Sequence, residues 1–263
     1  MSERVDIRIE NHVAEVMLDR PEKFNALDVE TIQALDAAAR AIGADSSVRV
    51  VILHGAGDNF CAGLDLSVFE GGGEDIVKTL LAPVEGSSAN LAQRAAYAWR
   101  ELPMPVVCAL RGVVYGGGFQ IAMGAELRYA AADTRLSIME SRWGLVPDMA
   151  ITATLRDILA PDRAKELAFS ADVIDAKEAL RLGIVTRIED DPLAAARRMA
   201  QTIVDRSPDA MRGIKRLFNE GWTLSEADGL ALEAAVQVRL LGSPNQAEAV
   251  HANLEKRKAK YVD

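Results

Sequence analysis

The chain has 263 residues, 49% hydrophobic and 26% charged, enough apolar material for one large core and the profile of a soluble globular protein. Its net charge of -9, from 30 basic and 39 acidic residues, argues against general nucleic-acid binding. The charged N-terminus lacks the apolar core of a secretory signal, no apolar run is long enough to span a membrane, and Cys61 and Cys108 form no CxxC pair. The expectation is a cytoplasmic protein with no disulfide framework and no zinc or other metal site.

Val5–Glu10 and Val13–Leu18 alternate apolar and polar residues around Asn11 and His12, which predicts a β-hairpin. Asp28 is placed to cap a helix running to about Gly43, with Ile32, Leu35, Ala39 and Ile42 on one face. Val48–His54 reads as a buried strand that leads into a glycine-punctuated loop from Gly55 to Gly63. Residues 67–88 are the least regular, interrupted by Gly71, Gly72, Gly73 and Pro83; a mobile flap and a plain surface insertion both fit. Ala89–Leu102 reads as a helix closed by Pro103 and Pro105.

The segment PVVCALRGVVYGGGFQ, residues 105–120, carries the strongest signal. Val106 to Val114 reads as one buried strand, turning through Gly116, Gly117 and Gly118 into a buried helix from Phe119 to Leu127. Glycines at such a turn let the backbone approach a ligand and leave N–H groups free at the positive end of a helix, where an anionic oxygen is the natural occupant. A tight turn packed on a neighbouring strand explains the same residues. Strand signals recur at Leu127–Ala131 and Leu136–Met139.

From about Ala150 the pattern is mostly helical, and about the last 70 residues are all helix. Asp191-Pro192, Ser207-Pro208 and Ser243-Pro244 are helix starts with proline at the first helical position, and Gln246 gives Ser243 a capping-box spacing. No internal repeat and no linker separates independent domains.

Phosphate loops, dinucleotide fingerprints, nucleophile elbows and zinc-protease motifs are all absent, and His12, His54 and His251 lie in no motif that would make them bases. Two glycine loops remain, each after a buried strand: residues 60–65 and 115–120. One backbone N–H from each, converging on one point, would form an oxyanion hole, each donor contributing on the order of 10²–10³ in rate.

The set DRPEKFNAL (19–27), FCAGLDL (60–66), RGVVYGGG (111–118) and MESRWGLVP (139–147) resembles the crotonase (enoyl-CoA hydratase/isomerase) superfamily, nearly end to end, including the closing EKRK at 255–258. The resemblance implies an α/β fold, a spiral of ββα units over residues 1–195, followed by a helical C-terminal trimerisation region over 196–263. Trimers, or pairs of trimers, are implied as the assembly. Coenzyme A is implied as the substrate's handle, with no permanently bound cofactor. The oxyanion donors fall on the N–H groups of Ala62 and Gly117. The positions implied for coenzyme A are Lys23, Ala26, Leu27, the backbone of Ala62, Leu64, Asp65 and Leu66, and Lys256 on the last helix. A lysine there is equally explained by the helix dipole, and Asp65 by a loop-fixing role.

Hydratases of this family use two glutamates, and proton transfer at two sites needs two groups that gain and lose protons. The second position is Glu140; the first is Gln120, whose amide is no base at neutral pH. The resemblance therefore implies double-bond isomerisation of an enoyl- or dienoyl-CoA, with Glu140 as proton shuttle. Asp148, eight residues beyond, matches an acidic residue of dienoyl-CoA isomerases and equally suits a helix N-cap before Met149. Gln120 suits a polar pocket wall or a water-orienting group, Arg142 and Trp143 a loop brace, and Met123, Met139 and Met149 an acyl pocket or ordinary core. The alternatives are a hydratase using Glu140 and a non-catalytic acyl-CoA-binding protein.

Overall fold

A computed structural model describes residues 4–69 and 73–263. The hairpin forms as read, with β1 (Val5–Glu10) and β2 (Val13–Leu18) antiparallel. The helix α1 (Val29–Ala44) starts where Asp28 accepts a hydrogen bond from the Thr31 N–H, and its predicted apolar face is buried. After β3 (Val50–Gly55) comes the segment read as irregular. It contains a helix, α2 (Gly73–Leu80), while Gly71 and Gly72 lie outside the described residues. Next, α3 (Leu91–Glu101) begins with a reciprocal capping box between Asn90 and Gln93.

The segment read as one strand from Val106 to Val114 is two. β4 (Val106–Leu110) joins the large sheet, the chain turns at Arg111 and Gly112, and β5 (Val113–Tyr115) enters a second sheet. Both pieces are buried, so hydropathy could not separate them. The helix that follows, α4 (Gly117–Met123), starts at the glycines and stops short of Leu127, which opens β6 (Leu127–Ala130). Then come β7 (Arg135–Ser137), α5 (Ile151–Thr154) and α6 (Pro161–Ser170). The half read as helical also holds two short strands, β8 (Ile174–Asp175) and β9 (Arg187–Ile188), around α7 (Ala176–Arg181). Four helices close the chain: α8 (Pro192–Val204), α9 (Pro208–Glu220), α10 (Glu226–Leu240) and α11 (Pro244–Leu254).

The large sheet has the order β1-β2-β3-β4-β6-β9, parallel except for the hairpin; the small one, β5-β7-β8, is set beside it. Side chains alternate across β3, so Val51 and Leu53 join the core with α1 and α3 while Val50 and Ile52 face α8. Burial on both faces is why Val50–Leu53 of β3 and the whole of β4 are apolar. The boundary expected at 195/196 falls inside α8, whose Ala195, Ala196, Ala200 and Ile203 cover the outer face of the sheet. The core therefore extends to the end of α8.

Asp191, Ser207 and Ser243 all accept the expected cap bonds from their own helices. The reciprocal half of the box at Ser243 does not form, because the Gln246 carbonyl takes the Gly242 N–H instead. From α9, the buried Lys215 ammonium donates to the carbonyls of Trp99 and Met104 and pairs with Glu126, which ties the last helices to the core.

Candidate active site

Two loops leave the carboxyl ends of β3 and β5 and meet over the start of α4. The first is braced from the segment 19–27: Arg20 donates to the Ala26 carbonyl at 2.7 Å and pairs with Asp65 at 3.1 Å, and Ser67 donates to the other Asp65 oxygen. Asp65 is thus a loop-fixing carboxylate, held below its usual range first by the Ser67 hydrogen bond and further by Arg20. Leu27 and Leu64 form a parallel bridge in which the Leu27 N–H donates to the Gly63 carbonyl and the Asp65 N–H to the Leu27 carbonyl.

This pairing corrects the expected oxyanion donor. The Ala62 N–H donates to the Phe24 carbonyl at 2.9 Å and is unavailable. Gly63, at φ +90°, breaks the regular alternation of the loop. Beyond it, Gly63 and Asp65 spend their polar groups on Leu27 while the amide of Leu64 points away from that bridge, with no backbone acceptor among the described residues. The Gly117 N–H is the first of α4 and has no acceptor within the helix. The two loops touch at this point: a Cβ built on Gly63 would lie 3.4 Å from the Gly117 nitrogen, and one on Gly116 would lie 3.4 Å from the Glu140 Oε1. Two free amides and one carboxylate therefore share a small volume.

Glu140 opens a 3-10 turn, Glu140–Trp143. It is not a surface residue: Oε1 accepts the Gln120 Nε2–H at 2.6 Å, and Oε2 is buried with no hydrogen-bond partner and no paired cation among the described residues. Burial pushes its carboxyl above the ordinary carboxylate range; its own backbone amide and then the Gln120 hydrogen bond oppose this, and the Asp148 charge adds to it. Partial desolvation likewise raises Asp148 at the rim. Asp148 is not a helix cap, since α5 begins at Ile151 and its N-cap position is Ala150, with no side-chain cap bond. Gln120 is buried, its carbonyl accepting the Met149 N–H at 2.8 Å.

These groups open onto a cavity of about 600 Å³. Lys23, Ala26, Leu64, Asp65 and Leu66 line it near the two loops, and Glu140, Gln120 and Asp148 line its polar wall. Ile76, Val77 and Leu80 of α2, with Ala92 of α3, give the remainder an apolar lining. Leu27 lies buried beneath the glycine turn. Met139 and Met149 face the cavity, whereas Met123 is core. Trp143, expected as a brace, is more than half exposed and lines the mouth. Lys256, just past α11, is not part of this cavity in the single chain.

The model of the enoyl-CoA hydratase/isomerase family matches residues 8–263. The chain belongs to that family. It is similar to the crotonyl-CoA hydratase of Syntrophomonas wolfei, 29% identical over 99% of this chain and 98% of that protein. It is also similar to the short-chain-enoyl-CoA hydratase of Clostridium acetobutylicum, 32% identical over 95% and 94%. Among solved structures, the enoyl-CoA hydratase from Bacillus anthracis superposes with a TM-score of 0.88 at 26% identity, covering 98% of both chains. The spiral α/β fold expected from the motifs is therefore the fold of this family member. No helix among the described residues is long and apolar enough to cross a membrane.

Proposed function

We propose that this family member shifts the double bond of an enoyl- or dienoyl-CoA, with Glu140 as the proton carrier and the amides of Leu64 and Gly117 as the oxyanion hole. The supporting observation is a single buried carboxylate with one unpartnered oxygen, beside two free amides, with an amide side chain in place of the second carboxylate. The thioester oxygen accepts both N–H groups. Glu140 Oε2 removes a proton from the α-carbon, the electron pair moves into the extended enolate held by the amides, and the same oxygen returns the proton to the γ-carbon of an enoyl-CoA or the ε-carbon of a dienoyl-CoA. The raised affinity of Glu140 for a proton suits both steps. Coenzyme A enters at the mouth near Lys23 and Leu66, with Lys256 supplied from a neighbouring subunit. Exposed Phe218, Trp222, Leu230, Val238 and Leu254 on the last helices form the apolar face of that assembly.

A second reading, hydration of a 2-enoyl-CoA using Glu140 alone, is favoured by the hydratase names of the relatives. Purified protein is incubated with 3-enoyl-CoA, 3,5-dienoyl-CoA and 2-enoyl-CoA, and conjugation or its loss is followed by absorbance. Isomerisation lost by roughly 10²–10⁴-fold in Glu140→Gln supports the first reading. Turnover of 2-enoyl-CoA alone replaces it with the second, and binding without turnover of any of the three rejects both.

A further inference from the structure

We propose that Gln120 is a positioning residue for proton transfer: it clamps Glu140 by one carboxylate oxygen and leaves the other free to act as the base. The inference rests on the reading of Glu140 given above. Gln120 sits in the first turn of α4 with 1% of its surface exposed, so its polar atoms must find partners inside the protein. Its orientation is dictated by chemistry. The Met149 N–H can only donate, so the Gln120 carbonyl must face it, which turns Nε2 toward Glu140 Oε1. A glutamate in this place would set oxygen against oxygen, so the neutral amide is a different device from a second acid.

Two consequences follow for the base. Oε1 is occupied as an acceptor, while Oε2 is buried, bare and basic. The same amide also fastens the Met149 backbone, and the Met149 sulfur lies 2.9 Å from where a Gly117 Cβ would be. Base, oxyanion turn and cavity wall are thereby held in one register, which proton transfer to and from carbon requires. The charged group whose field reaches Glu140 is Asp148, and Lys23 and Asp65 line the same cavity. The packed glycine turn and α4 bring only neutral groups. The α6 helix behind the Glu140 turn carries Asp162, Arg163, Lys165 and Glu166, which balance.

The test uses Gln120→Met, which keeps the length and loses both bonds, and Gln120→Glu, which keeps the shape. For 3-enoyl-CoA, Gln120→Met is expected to lower kcat by about tenfold or more with KM little changed, and to move the acid limb of kcat to higher pH. Gln120→Glu is expected to approach wild-type rates only at low pH, where the pair shares a proton, and to fall away as pH rises. Unshifted acid limbs in both variants, or losses confined to KM, overturn the proposal. A carbon-13 titration of the Glu140 carboxyl, assigned with Glu140→Gln, separates this from the reaction itself. If the wild type turns over no enoyl-CoA yet the titration moves upward in Gln120→Met, the clamp stands and the assigned reaction falls. If the titration stays put, the clamp is overturned whatever the turnover.

Discussion

Adding one methyl group at Gly117 or at Gly118 should have opposite consequences, although the residues are neighbours. A Cβ on Gly118 would lie 2.6 Å from the Cys61 carbonyl oxygen and 2.6 Å from its Cβ, against ordinary contacts that begin at 3.4 Å. Both obstacles belong to, or sit directly on, the backbone of the loop that carries the proposed oxyanion amide, so neither can swing aside. Overpacking of this kind costs about 3 kcal/mol, the upper part of the usual range. For a chain of this size that is a fall in Tm of roughly 6–12 °C. A Cβ on Gly117 would instead meet the Leu27 Cδ1 at 2.8 Å and the Met149 Sδ at 2.9 Å, the far ends of flexible side chains that can rotate. Gly117→Ala should therefore lose less than about 1 kcal/mol, yet cost activity, because the displaced methionine sits on the cavity wall. Thermal unfolding followed by circular dichroism, paired with enoyl-CoA turnover, reads both. Equal losses of Tm, or a larger loss for Gly117→Ala, would refute the assignment of Gly118 as the packing contact.

Glu140→Gln should raise stability at neutral pH while abolishing turnover. The folded state holds the Glu140 proton more tightly than the unfolded chain does, so stability falls as pH rises from about 4.5 through the raised value. The variant removes that cost: its Tm should exceed the wild type's at pH 7, with the gap closing below pH 4.5, and a lower Tm at pH 7 contradicts the burial argument. Both thiols should be inert in the native protein. Burial pushes Cys61 up to about 12 and Cys108 higher still, so iodoacetamide at pH 8 should label neither until denaturant is added. Fast native labelling would show that one of them reaches solvent.

The parts legible in the residues are those encoded over a few positions. The hairpin follows from period-two alternation around Asn11 and His12, and the helix starts at Asp28, Asp191 and Ser207 follow from short side chains that accept N–H bonds three residues or fewer away. Glu140, the two glycine loops and the amide at position 120 are chemical identities, readable wherever they fold. The choice between the Ala62 and Leu64 amides is of another kind. It is made by Phe24 and Leu27, a segment remote in sequence that takes one N–H and leaves the other, and by the backbone turn at Gly63. The division of Val106 to Val114 between two sheets, and the seating of α8 on the core, depend on partners equally distant. So does the link from Met149 through Gln120 to Glu140. Hydrogen-bond partnership across such separations is settled only when the chain has closed on itself, because each donor takes the acceptor that packing brings to it.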